Sequence, residues 1–97
     1  MCGICGVVLD QEDRRVDPEP LRAMTAAMSH RGPDDEGIWC GGPAGLGMRR
    51  LSIIDVAGGH QPIHNEDQTV WVVFNGEIYN FQELREQLTG QGHRFYT

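Results

Sequence analysis

The strongest strand signal in the chain is Thr69-Val70-Trp71-Val72-Val73-Phe74, and Asn75-Gly76 follows it directly. β-Branched and aromatic residues suit a pleated surface. Asn-Gly marks a tight turn in which positive φ is needed. Together they predict a strand that ends in a sharp reversal. The other strand signals are also short. Ile4 to Leu9 is mostly apolar and β-branched, the pattern of a buried strand. Gly37 to Cys40 and Ala44 to Met48 are Gly-flanked and strand-like, Leu51 to Val56 is a further largely apolar run, and His93 to Thr97 reads as the start of another strand.

Two helices are expected between these runs. Asp17-Pro18-Glu19 supplies an N-cap, a proline at the first helical position and an acid in the first turn. Leu21, Met24 and Met28 then recur at i, i+3 and i+7, and Gly32-Pro33 gives the stop. Asn80 with Glu83 three residues on has the form of a capping box. Phe81, Leu84 and Leu88 form one face of the helix that follows, and Gly90 and Gly92 end it. Asp10 to Arg15 and Ala57 to Pro62 read as loops. Strands and helices mixed in this way give an α+β class. The 97 residues allow one domain at most. A strand beginning at His93 with no partner after it predicts an interrupted domain, with only its N-terminal half present in residues 2–97.

The charge balance narrows the function. A net charge of -6 argues against a nucleic-acid footprint, which needs clustered positive charge. No apolar run approaches the roughly 18 residues of a membrane helix, so no membrane partner is expected. The N-terminus has no signal-peptide pattern, which makes the cytoplasm the default compartment. All eight basic residues are Arg, which removes phosphate-loop, Schiff-base and general-base lysines. Three cysteines, an odd count without a signal peptide, speak against a disulfide framework.

Cys2 is the sharpest chemical feature. Once Met1 is clipped, this residue carries both a thiol, ordinarily with a pKa of about 8.5, and an α-amine, ordinarily about 7.7. The amine can take the thiol's proton, so nucleophile and base share one residue. Cys2 and Cys5 also form a Cys-x-x-Cys, open to a redox or half-zinc reading. Zinc would need ligands from Cys40 and the four irregularly spaced His, and Cys5 fits a core thiol on the first strand. His30-Arg31-Gly32-Pro33-Asp34-Asp35-Glu36-Gly37 sets a His-Arg pair before three carboxylates, but adjacent carboxylates rarely converge; a helix stop followed by a solvated turn is the plain reading. Arg49 and Arg50 would point to opposite faces of a strand, so one could enter a pocket while the other meets solvent. An Asn75 amide beside the Gly76 N–H could form an oxyanion hole or merely a hairpin turn. His60 and His64 flank Pro62, which argues against paired helical ligands and leaves them as loop residues.

Taken together, Cys2-Gly3-Ile4, His30-Arg31-Gly32-Pro33-Asp34, Arg50-Leu51-Ser52-Ile53-Ile54-Asp55, Gly59-His60-Gln61-Pro62 and Phe74-Asn75-Gly76-Glu77-Ile78-Tyr79-Asn80 stand in the order and spacing of one family. The chain closely resembles the N-terminal glutaminase domain of glutamine-hydrolysing asparagine synthetases, which are class II glutamine amidotransferases. The resemblance implies the N-terminal nucleophile hydrolase fold, a four-layer sandwich of two antiparallel sheets between helical layers. It implies that Cys2 attacks the side-chain amide of glutamine and that Asn75 and Gly76 hold the oxyanion. Arg50 would grip the substrate α-carboxylate, and Glu77, with backbone groups along Leu51, Ser52, Ile53 and Ile54, would receive the amine end. No cofactor is implied within this chain. Aspartate, ATP and Mg²⁺ belong to a synthetase domain outside it, and a homodimer is left open for the full-length enzyme. Three further expectations stand beside this one. The piece alone could be non-catalytic, with an exposed edge strand around Phe95. The acceptor could be a carboxylate other than aspartate. Cys2 and Cys5 could serve a small metal or redox module.

Overall fold

The computed structural model describes residues 2–51 and 60–96. Asp17 caps the first helix as its sequence dictates. Its backbone is extended (φ -73°, ψ 125°) and its carboxylate accepts the Glu19 N–H at 3.0 Å. Pro18 opens α1, Pro18–Ala27. The helix ends before the expected Gly32-Pro33 stop: Met28 is the C-cap, with the Met28 and Ser29 N–H groups bonding back to the Thr25 and Ala26 carbonyls at 3.1 Å each. Leu21 and Thr25 are fully buried on one side of α1, while Met24 of the expected apolar face is exposed.

That side lies on a three-stranded antiparallel sheet of β1 (Gly3–Val8), β2 (Asp35–Gly41) and β3 (Ala44–Arg50), in the order β1-β3-β2. β2 and β3 lengthen the two runs seen in sequence at their outer ends. Their hairpin closes through Gly42-Pro43, with Gly42 at φ +57°. Val16 and Leu9 donate to the carbonyls of Gly42 and Pro43 at 2.9 and 2.8 Å, which ties the loop before α1 to this turn. Gly47 lets the helix approach the central strand: a Cβ there would collide with the Thr25 hydroxyl and reach the Cys5 sulfur at 2.7 Å. The Thr25 hydroxyl donates to the Leu21 carbonyl at 2.8 Å, so the Cys5 thiol is the donor in its 3.4 Å contact with that hydroxyl. Val16 and Leu21 are buried in this layer, and Met48, next to Gly47 on β3 and so of opposite parity, is buried on the other face of the sheet.

β1 is not the buried strand its composition predicts. It is an edge strand covered by α1 on one face only, leaving Ile4 48% and Val8 84% exposed on the other. The apolar run Leu51 to Val56 falls almost wholly outside the described residues.

The second half follows its sequence less closely. Only Trp71–Val72 (β5) of the Thr69–Phe74 run pairs, with Ile63–His64 (β4). The Asn65 side chain explains the shortening. It accepts the N–H groups of Thr69 and Val70 at 2.9 and 3.0 Å, so these donors are spent on a side chain instead of a ladder. Asn75-Gly76 makes no positive-φ turn; among the described residues positive φ occurs at Gly42, Gln68 and Gly92. The chain instead runs on through a bend into α2, Phe81–Gly90.

Asn80 stands at the N-cap of α2 but its side chain makes no cap bond. Its backbone is not extended (φ -98°, ψ 30°), and a turn from Ile78 feeds the helix, with the Phe81 N–H on the Ile78 carbonyl at 3.2 Å. The C-terminus ends as glycine placement predicts. Gly92 at φ +97° donates to Thr89, and His93 donates to Leu88, the two bonds of a Schellman motif. No residue of α2 is buried.

Residues 93–96 form no strand. They fold back, the Tyr96 hydroxyl accepting the His64 N–H at 3.0 Å with the two rings stacked at 4.7 Å. The expected edge strand around Phe95 is therefore absent: the His93 N–H goes to the Leu88 carbonyl at the helix end, and the Tyr96 side chain takes the His64 N–H. The stack continues through Trp71, 4.9 Å from His64, to Trp39 on β2, 5.0 Å from Trp71. This column of rings joins the halves. The class is mixed α and β with antiparallel sheets. Among the described residues no helix is long and apolar enough to cross a membrane.

Candidate active site

Side chains alternate across a strand, so β1 sorts its cysteines. Cys5 faces α1 and Thr25. Cys2, just before the strand, has the opposite parity. Its sulfur lies against Leu51, receiving that residue's N–H at 3.4 Å and sitting 3.9 Å from its carbonyl oxygen. The two thiols of the Cys-x-x-Cys therefore face different surroundings. All three cysteines are free, and among the described residues no three His, Cys, Asp or Glu converge as metal ligands.

The register Gly3↔Arg49 brings Cys2 opposite Arg50 at the end of the ladder, and Asp35↔Arg50 continues the row onto β2. Arg49 and Arg50 split between faces as alternation requires. Arg49 turns toward the α1 side, where it donates to the Gly32 carbonyl at 2.9 Å and pairs with Glu36 at 2.7 Å. Arg50 lies on the Cys2 side and is buried. The carboxylates after His30-Arg31 diverge in the same way. Instead of a solvated turn they open β2, with Glu36 on Arg49 and Asp35 on the His60 ring at 2.6 Å.

Two side chains meet at the Cys2 carbonyl oxygen. Asn75 donates to it from Nδ2 at 3.0 Å, across a separation of 73 residues. Arg31 donates from Nε at 3.2 Å. The carboxamide of Asn75 has two N–H groups, so it can hold the Cys2 backbone with one and still carry a second donor. Gly76 adjoins it, with the Phe74 ring packed so closely that a Cβ would lie 2.8 Å from a ring carbon. Glu77 follows on the exposed side of this segment.

Cys2, Arg50, Leu51, Asn75 and Gly76 therefore gather at one end of the sheet. Ser52, Ile53 and Ile54 lie outside the described residues. Two participants carry no site role in the sequence reading. Arg31 appears there as part of a helix stop and of the His30-Arg31-Gly32-Pro33-Asp34 motif, which was the available signal. Gln61 reads as loop in sequence; its side chain donates to the Phe74 carbonyl at 3.2 Å and accepts the Phe74 N–H at 2.7 Å. His64, expected in a loop, lies in β4.

The profile of a family described as glutamine amidotransferase domain matches residues 1–97. An asparagine synthetase (glutamine-hydrolyzing) 1 of Bacillus subtilis is 46% identical over 105 residues, covering 100% of this chain and 16% of that protein. One from Arabidopsis thaliana is 41% identical over 97 residues, again covering 100% of this chain and 16% of that protein. A third, from Sandersonia aurantiaca, is 43% identical with 18% of its length covered. The chain spans about one sixth of the length of the first two relatives, 16% of each.

Proposed function

The chain belongs to the glutamine amidotransferase domain family, and on that premise we propose that it hydrolyses glutamine to glutamate and ammonia through a thioester on Cys2. The observation that carries this reading is the bond from Asn75 to the Cys2 backbone, which sets an amide donor beside a cysteine near the chain's start. Loss of Met1 frees the Cys2 amine. That amine accepts the thiol proton as sulfur attacks the side-chain amide carbon of glutamine. Charge develops on the amide oxygen, and the second Asn75 N–H with the Gly76 N–H meets it. Ammonia leaves with the proton, and water then cleaves the γ-glutamyl thioester and restores the thiol. Arg50, buried on the Cys2 side, is the guanidinium for the α-carboxylate. Glu77 and the backbone of residues 51–54 receive the amine end.

The relatives are named for asparagine synthesis, so the ammonia is assigned to ATP-dependent conversion of aspartate to asparagine. The residues here do not fit ATP or Mg²⁺. The sequence has no lysine, and the described residues hold no metal-ligand cluster. Both are assigned to parts of the protein beyond residues 2–97. The full fold in this reading is the N-terminal nucleophile hydrolase sandwich, to which the β1-β3-β2 sheet and α1 contribute one sheet and one helical layer.

The test is glutamine hydrolysis by the full-length protein, with and without Cys2→Ala. The variant is expected to lose the activity. An electrophilic glutamine analogue should add its mass to the peptide that begins at Cys2. Glutamine hydrolysis that survives Cys2→Ala would overturn the reading.

A further inference from the structure

We propose that Gln61 is a positioning residue for the oxyanion-binding end of the site, acting through the Phe74-Asn75 backbone. The inference rests on the role given to Asn75 above. Phe74 and Asn75 lie beyond β5, and among the described residues no strand pairs with them there. The Gln61 carboxamide supplies what a ladder would have supplied: Nε2 donates to the Phe74 carbonyl at 3.2 Å, and Oε1 accepts the Phe74 N–H at 2.7 Å. This is the reciprocal exchange of one donor and one acceptor seen in a hydrogen-bonded antiparallel pair. Only this orientation of the amide works, because the flipped one sets oxygen against oxygen.

Gln61 is itself anchored. Its backbone carbonyl rests on Gly37 of β2, where any Cβ would collide with it. The preceding residue, His60, is held to Asp35 at 2.6 Å. Asp35 and Gly37 stand in register with Arg50 and Met48 on the central strand. The chain of contacts thus runs from the sheet through Gln61 to Phe74, and the next residue, Asn75, reaches Cys2 at 3.0 Å. Without the clamp the sheet would still place Cys2 and Arg50, while Asn75 would lose its fixed approach.

Gln61→Met keeps the length of the side chain and removes both bonds. In the full-length protein it is expected to lower kcat for glutamine hydrolysis by about 10- to 100-fold, the scale of a group misplaced by an ångström. KM for glutamine should stay within about twofold, because the α-carboxylate grip comes from β3. In an Asn75→Ala background the same change should cost nothing further, since both act through one group. If Gln61→Met does not fold, Gln61→Glu, which loses only the donor to Phe74, should show the same split between kcat and KM. Unchanged kcat, a rise in KM alone, or fully additive losses in the double variant would overturn the proposal. Amide exchange at Phe74 separates the two readings. If the unaltered protein does not hydrolyse glutamine, the functional reading fails; faster Phe74 exchange in Gln61→Met then still supports the clamp, and unchanged exchange removes it.

Discussion

α1 lays Leu21 and Thr25 on the β1-β3-β2 sheet with no exposure at either, whereas α2 buries none of its ten residues. The first half is held by apolar burial and three paired strands. The second is held by single side chains bonded to backbone, from Asn65, Gln61 and Tyr96, and by the ring column from Trp39 to Tyr96. The candidate site draws on both halves. Cys2 and Arg50 come from the rigid sheet, and Asn75 comes from the segment held by polar contacts. In the proposed reading the nucleophile and the carboxylate grip are set by the core, and the oxyanion donor by the proposed clamp, which can be weakened without unfolding the sheet.

The largest effect should come from testing that contrast directly. Leu21→Ala removes a fully buried side chain and is expected to cost about 2–5 kcal/mol of stability, the range for such cavities. Leu84→Ala, at a residue 37% exposed on α2, should cost less than about 1 kcal/mol, as surface changes do. Chemical denaturation of both variants decides it. Equal losses would mean that the face of α2 is covered in the working protein and that the contrast is false.

Gly37→Ala attacks the seam. Its Cβ would meet the Gln61 carbonyl and lie 3.1 Å from Pro62, so the loop must lift off β2. Overpacking of this kind costs about 1–3 kcal/mol. Because Trp39 and Trp71 stack across the same seam, their fluorescence should change together with the loss of stability. An unchanged emission spectrum would show that the loop is not held where the structure puts it.

The same contrast explains what could be read from sequence. α1 was legible because its cap, its proline and its buried Leu21 all act within a few residues of one another. β2 and β3 were legible in position, and their turn at Gly42-Pro43 is as local as the helix cap. Thr69 to Phe74 misled because β propensity reports fitness for a pleated surface and not which partner takes the backbone. Asn65 and Gln61 took it, and neither carries a mark of that in sequence. Asn75-Gly76 misled for a related reason: the amide that would have served a turn reaches Cys2 instead. The site was legible as spaced motifs, and Cys2, Arg50 and Asn75 do come together. The roles of Arg31 and Gln61 needed the fold, because contacts across 29 and 13 residues leave no periodic trace.

The two helix starts offer a finer comparison. Asp17→Ala removes a side chain that accepts the Glu19 N–H and should cost about 1 kcal/mol. Asn80→Ala removes one that makes no cap bond, so its cost should stay within about 0.5 kcal/mol, the ordinary surface range. Helix content and melting temperature of the pair provide the measurement. A loss at Asn80 matching that at Asp17 would restore the capping box expected from Asn80 and Glu83.

The smallest effect lies in the cleft of about 330 Å³ that Glu66, Leu88, His93 and Tyr96 help to line. Glu66 accepts from the His93 ring at 3.1 Å, and this bond holds its carboxyl below the ordinary value of 4.5. A depressed carboxyl favours the folded state above its unfolded pKa, and that contribution fades as pH falls through the folded value. The melting difference between the unaltered protein and Glu66→Gln should therefore be present just above the ordinary carboxylate value and shrink as pH drops below 4.5. Asp67, lowered by the Thr69 hydroxyl, adds a trend of the same sign that both proteins share and that cancels in the difference. Because the pair is exposed, added salt should shrink the difference wherever both partners are charged. A difference that grows on acidification would reverse the sign of the linkage and detach the 93–96 tail from the contacts that hold the second half together.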